Sequence, residues 1–484
     1  MPIDHQLGRP EDAGVGDHVG GLWHKSARLL GRPRPSLAGG HGIFPLRLGD
    51  PGLGVDLPLE GGDSPACAVG PRHFDTTGGA SLPDDLVGGL GHDCSMGRSG
   101  GIATRAPTGA TVSGGNSGGR IRLIKYQTVL VLGAGSSAEV GLPTGAKLAQ
   151  DLTGALDIRF KGGSDIVSGN QGIALALAYA ARRADGPKAD INEYFHAARR
   201  ISAGVGLTSS IDTFIDVHRD NPLIARCGKI AIVQAILDAE RSSSLHIDRQ
   251  TTNKVEGPLF ERATSSWFFQ LARMLFDGLA KAKLDEVFAH LCVINFNYDR
   301  CLEHFLIHAL SAAYGVETAH ARQLVDKLRI WHPYGTVGLL SSTVDDQTQL
   351  ATFGEKMTPE AVAVLADRIK TFTEQIGDEE AVRAPRKWLS EASAILFLGF
   401  GFNDQNMKLI KPHNSRGSQN VYATAAGMFD PDVAVARAGI VEMLELRGAT
   451  DSNVFPVRTD LTCARLLQEY GRIIQAGIPW RRER

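Results

Sequence analysis

Four polar stretches hold the side chains of this chain that could grip a ligand or move a proton. The first, Gly133-Ala134-Gly135-Ser136-Ser137, directly follows the apolar run Thr128–Leu132. Glycines let a backbone turn sharply and approach a ligand with no Cβ in the way. Free amides after a strand, where a helix opens, attract anions. The second is Asn297-Tyr298-Asp299, behind the apolar run 291–296. Asn297 is a polar amide at the end of a buried strand, where open α/β sheets place ligand groups. Asp299 is either such a group or the cap of a helix that opens there. The third is His332-Pro333-Tyr334-Gly335. Histidine is a candidate base near neutral pH; the alternative is a turn histidine held by hydrogen bonds. The fourth is Gly399-Phe400-Gly401, with Asn403 and Asp404 behind it. The chemistry these types suggest is phosphate binding combined with proton transfer.

The first loop departs from the ordinary dinucleotide pattern. Gly133, Gly135 and Ala138 fit G-x-G-x-x-G/A, although a tight strand-to-helix turn with no ligand is the plain alternative. A dehydrogenase would continue in a helix and place an acid at the next strand end, about 20 residues on. Here Gly141-Leu142-Pro143-Thr144-Gly145 interrupts the helix, and Asp151 sits in a helical pattern. The loop is expected to bind phosphate and then turn differently.

The elements that must position these groups are short apolar strands alternating with helices. Strands are expected at 128–132, 291–296, 328–331, 394–398, 421–425 and 453–455. Helices are expected at 146–152, 173–184, 188–203, 223–241, 264–283, 299–310, 358–377, 383–391, 405–410 and 459–476. Strand–helix units whose strands end in Gly or polar residues imply an α/β fold. That fold is a Rossmann-like parallel sheet with a ligand crevice at one edge. Residues 155–288 read as an all-helical insertion into the domain at 121–484. Residues 1–120 hold 28 of the 56 glycines, 11 of the 22 prolines and a single lysine, Lys25. They show no sustained periodicity, so they are expected to be disordered. They are either a Gly/Pro-rich tail or translated sequence ahead of the true start, for which Met96 is a candidate.

Charge and composition exclude several classes. A net charge of −2, from 51 Lys+Arg against 53 Asp+Glu, gives no reason to expect nucleic acid or an anionic membrane. Cys67, Cys94, Cys227, Cys292, Cys301 and Cys463 are scattered with no C-x-x-C, so neither a zinc module nor a disulfide framework is suggested. No apolar run is long enough to span a membrane and no secretory leader is read, which makes a cytoplasmic location the default.

Taken together over 126–484, the four strand ends resemble the sirtuin superfamily, in its bacterial silent-information-regulator-like branch. Gly133-Ala134-Gly135-Ser136-Ser137 with Gly141-Leu142-Pro143 matches the first loop of that family. Asn297-Tyr298-Asp299 stands where sirtuins carry Asn-Ile-Asp. His332 to Gly335 falls where they carry the catalytic His-Gly, and Gly399-Phe400-Gly401 where they carry a Gly-Thr-Ser loop. Thr144-Gly145 replaces the Asp-Phe-Arg of deacylating sirtuins, the four zinc cysteines are absent, and Tyr334 rather than histidine precedes Gly335. Relatives with the first two departures resemble effectors of antiphage systems such as Thoeris, which cleave NAD.

The resemblance implies an NAD hydrolase that releases nicotinamide, with NAD as substrate, no zinc and a role in antiviral defence. Gly133, Ala134, Gly135, Ser136 and Ser137, with Gly141 and Pro143, would hold the pyrophosphate. Gly399, Phe400 and Gly401 would take the adenosine side. Asn297 would hold water or the nicotinamide ribose, and Asp299 would orient the nicotinamide. His332 would act as the base, with Tyr334 as its competitor or as a hydrogen-bond partner of the ribose. The alternatives are a protein deacylase or ADP-ribosyltransferase, and a non-catalytic sensor of NAD or ADP-ribose. An unchecked hydrolase would kill its host, so a regulatory protein, a small-molecule activator or assembly into a homo-oligomer is expected.

Overall fold

Six strand segments pair side by side into one sheet, and their order explains where a ligand can bind. The structure, a computed structural model, describes residues 124–248, 257–340, 347–376, 378–446 and 457–478. Its strands are β1 (Thr128–Leu132), β2 (Arg159–Lys161), β3 (Asp165–Ser168), β4 (Leu291–Asn295), β5 (Arg329–Trp331), β6 (Ala394–Leu398), β7 (Asn420–Thr424) and β8 (Val457–Arg458). The main sheet has the order β5-β4-β1-β6-β7-β8, and every pair in it is parallel. Counting only those six strands in chain order gives 3-2-1-4-5-6, the doubly wound nucleotide-binding arrangement. The α/β, Rossmann-like class expected from the sequence is what the sheet shows.

The central strands β1, β4 and β6 are largely apolar and buried along their whole length because both sheet faces are covered there. Alternate side chains go to opposite cores. Val129 and Val131 of β1, Cys292 and Ile294 of β4, and Ile395 and Phe397 of β6 enter one core. Leu130, Leu132, Leu291, Val293, Leu396 and Leu398 enter the other. The first core is covered largely by the helices Gly145–Ala155, Gln171–Asp185, Ile191–Gly204 and Pro222–Ser242. Trp267–Phe276, Cys301–Tyr314 and Cys463–Ala476 cover the second. Among the described residues no helix is long and apolar enough to cross a membrane.

Several expectations need correction. The block at 155–288 is not all helical: β2 and β3 form an antiparallel two-stranded ribbon within it. The helix expected over 264–283 ends at Phe276, because Gly278 turns with φ +80°. The helix expected over 358–377 is three pieces, Pro359–Leu365, a short turn at Ala366–Arg368 and Phe372–Ile376, broken where Ile369 is extended. Asp430–Leu444 is a helix that the sequence reading left out. The strand expected at 453–455 and the segment 1–120 lie outside the described residues.

Candidate functional site

At the switch point of a sheet in this order, the connections that follow two neighbouring parallel strands leave toward opposite sides and open a crevice at the strands' C-terminal ends. Here β1 and β6 are those neighbours, and the loops after them interlock. The Gly133 amide donates to Leu398 O at 3.1 Å and the Gly135 amide to Gly399 O at 3.0 Å. A Cβ at Gly133 would lie 2.6 Å from Gly399 O. One at Gly399, whose φ is +58°, would lie 2.0 Å from Ser136 N. The glycines are therefore demanded by loop-to-loop packing, a reason the sequence could not separate from ligand approach. The expected phosphate cradle is correspondingly reduced: the Gly135 and Ser136 amides already donate to Gly399 O and Gly133 O.

Above this junction lies a cleft of about 760 Å³. It gathers Gly133, Ala134, Gly135, Pro143, Asn297, Asp299, Tyr334, Gly399, Phe400 and Gly401 on one surface. Gly141, Ser136 and Ser137 do not line it. Gly141 supplies a turn with φ +97°. The two serines are buried beneath the loop and hold Asn297 from behind. Ser136 Oγ donates to Gly133 O at 2.8 Å, and Ser137 Oγ donates to Asp299 Oδ1 at 3.1 Å. With both hydroxyl protons committed, each oxygen accepts from Asn297 Nδ2, at 3.3 and 3.0 Å. That fixes which way the amide faces. Asn297 Oδ1 is left buried with no hydrogen-bond partner among the described residues. A native protein rarely leaves such a group unsatisfied without a use for it.

Asp299 lines the cleft and also meets the start of the following helix. Its Oδ1 also accepts from the Cys301 amide at 3.1 Å, at the start of the helix Cys301–Tyr314. Burial pushes its carboxyl above the usual range, and the Cys301 and Ser137 hydrogen bonds pull the other way.

His332 is not in the cleft. It lines a separate cavity, on the far side of the loop that carries Asn297. Its Nδ1 bonds to Asn297 O at 3.1 Å and its Nε2 to Glu303 Oε1 at 3.0 Å. Burial alone would lower its pKa, but the Glu303 carboxylate, that hydrogen bond and the Asn297 carbonyl raise it overall. With both ring nitrogens bonded and the ring outside the cleft, His332 does not face the space that gathers the other candidate residues. Because its folded pKa is raised, its contribution to stability is complete below the unfolded value of about 6.5 and is lost as pH rises through the folded value. His332→Gln should therefore melt below the wild type near about pH 5.5, with the gap closing toward about pH 8.5, and should leave any turnover within about threefold. A gap that widens with pH would contradict this.

Tyr334 does face the cleft. Its hydroxyl donates to Asn406 Oδ1, and burial, with Asp212 and Asp216 nearby, pushes its pKa up, so it is a donor and not a base. The carboxylate that the sequence did not single out is Asp212. It lies in the first turn of the helix Ile211–Val217, which Ser210 caps by accepting from the Thr213 amide at 3.2 Å. Asp212 is half-buried in the cleft wall and accepts from the Tyr298 hydroxyl. Burial raises its pKa, and the Tyr298 hydrogen bond opposes that. Glu139, also in the wall, accepts from the Trp267 and Ala464 amides at 2.9 and 3.0 Å and so ties down two helix starts.

Gly401 differs from the packed glycines. A Cβ there would meet nothing within 4 Å, and its φ is not positive. The fold does not need glycine at this cleft position. Gly401→Val is expected to weaken binding of any ligand in the cleft by about tenfold or more while moving the melting temperature by no more than about 2 °C. Equal affinity in the variant would show that no ligand passes over it. Among the described residues no group of three or more His, Cys, Asp or Glu is arranged to hold a metal ion. No protein-family model matches the chain, and no curated protein matches it.

Proposed function

We propose that the cleft binds NAD as substrate and hydrolyses its nicotinamide–ribose bond, as a sirtuin-like hydrolase of the antiviral-effector type. The observation that carries this reading is Asn297. It stands at the switch-point cleft, clamped by Ser136 and Ser137, with a buried Oδ1 that lacks a partner. A ribose hydroxyl or an attacking water would satisfy that oxygen. The cleft volume lies within the range of small-molecule sites.

Cleavage builds positive charge at the ribose C1′, and the leaving group is neutral nicotinamide. The water oxygen bonds to C1′, and the C1′–N pair passes to the pyridinium nitrogen. The water proton goes to a base, and Asp212 fills that part. A carboxyl raised by burial is better matched to proton transfer near neutral pH than an ordinary aspartate. Tyr334 and Asp299 hold the sugar and the nicotinamide amide, and the Gly399–Gly401 turn borders the adenosine side. In this reading the block 155–288 is an insertion whose helix Ile211–Val217 brings in the base.

The position of His332 outside the cleft favours a second reading, a nucleotide sensor that binds without turnover. Incubating the protein with NAD and following nicotinamide release decides between them. Release that Asn297→Ala abolishes supports hydrolysis. Saturable NAD binding with no release supports the sensor.

A further inference from the structure

Behind the cleft lies the second cavity, of about 730 Å³, which neither reading uses. Its wall carries Arg183, Arg300, Arg322, Arg368, Lys370 and His332 against the acids Glu303, Asp326 and Asp367. Most of these charges are balanced. Arg183 pairs with Asp367 at 2.8 Å, Arg300 with the buried Glu240, Lys370 with Asp378 at 3.8 Å and His332 with Glu303 at 3.0 Å. Arg322 and Arg368 make no ion pair among the described residues. Arg368 is half-buried, and one of its guanidinium nitrogens meets only the neutral oxygen of Gln349. Its Nε is buried with no partner.

A half-buried guanidinium without a carboxylate is costly, and a neighbouring cation makes it worse. Burial, and Arg300 nearby, both press Arg368 toward losing its charge. A fold that only needed this side chain for packing would gain by pairing it. From this imbalance we infer that the cavity is a second ligand site, for a phosphate-bearing small molecule held by Arg368 and Arg322. Planar guanidinium groups present paired donors that match phosphate oxygens. The cavity has room for more than an inorganic ion. The site is joined to the cleft through His332, which lines the cavity and bonds to the Asn297 carbonyl. A phosphate drawn against Arg368 thus acts within one side chain of the residue that the hydrolase reading depends on.

The test uses the full chain and inorganic pyrophosphate, with no NAD present, so its outcome is separate from that of the hydrolase reading. Calorimetric titration of the wild type should give saturable binding. Arg368→Gln should weaken it by about tenfold to a hundredfold, the scale for losing a charge-assisted bond. Arg322→Gln, on a more peripheral helix, guards against an Arg368 variant that fails to fold and should weaken binding in the same direction. Lys283→Gln, at an exposed ion pair that lines neither cavity, should leave pyrophosphate binding at the wild-type level. No binding to the wild type overturns the proposal. So does full-strength binding to both arginine variants, which would put the anion elsewhere.

Discussion

Asn297→Ala should lower nicotinamide release from NAD by about a hundredfold or more, while NAD still binds. The estimate follows from positioning: a group that fixes the reacting ribose or water sets the attack geometry, and small misplacements cost about that much. Only the side chain changes, and Ser136 and Ser137 keep their bonds to Gly133 O and Asp299. The loop should therefore hold its shape. Asp212→Asn should be comparably damaging, on the scale of about 10²–10⁴ for a lost general base. It keeps an oxygen for the Tyr298 hydroxyl, so the cleft wall stays in place. Asp212→Ala offers a sharper check. Added formate, a small carboxylate, should restore part of its turnover, which a purely structural aspartate would not allow. Turnover in Asn297→Ala equal to the wild type would remove the cleft from the reaction.

How far this could be seen in the sequence depends on whether the signal is local. β1, β4, β6 and β7 were legible because a strand buried on both faces is an unbroken apolar run that ends in glycine or a polar residue. The cleft followed from the rule that ligands meet the carboxyl ends of such strands, which brought Gly133, Asn297 and Gly399 to one place. The same rule misled at His332. β5 is the edge strand, and the turn at Pro333-Tyr334 sends Tyr334 to the cleft and His332 to the cavity behind. Asp212 was hidden for another reason. In sequence it is an ordinary first-turn acid of a serine-capped helix, and only the packing of that helix beside Tyr298 makes it a cleft residue. Ser136 and Ser137 were recognised as a pair, but whether they touch a ligand or hold Asn297 depends on which way the loop buries them.

The largest structural effect is expected one residue past Asp299. Arg300 is 2% exposed and Glu240 is fully buried. Glu240 Oε1 accepts from both Nε and the backbone amide of Arg300, each at 3.1 Å, and Oε2 accepts from Nη2 and, at 3.3 Å, from the Gly354 amide. Nη1 donates to Ala351 O. The pair thus pins the loop bearing Asn297 and Asp299 to the helix Pro222–Ser242 and to the segment around Gly354. Glu240→Ala leaves a buried guanidinium facing no charge, and removing one partner of such a pair costs about 3–5 kcal/mol. With an unfolding entropy of roughly 2 cal/mol/K per residue, each kcal/mol moves the melting temperature of a domain of more than about 300 residues by roughly 1–2 °C, so a drop of roughly 3–10 °C is expected in a thermal melt. Turnover should fall as well, because the amide that positions Arg300 is released with the charge. Replacing both residues by methionine removes the stranded charge along with its partner. That double variant should recover most of the stability, since buried pairs are often no better than well-packed apolar groups, but not the turnover if the loop depends on Glu240 for its place. A melt of Glu240→Ala within about 1 °C of the wild type would mean that water or another acceptor reaches Arg300, and the anchoring role would fall.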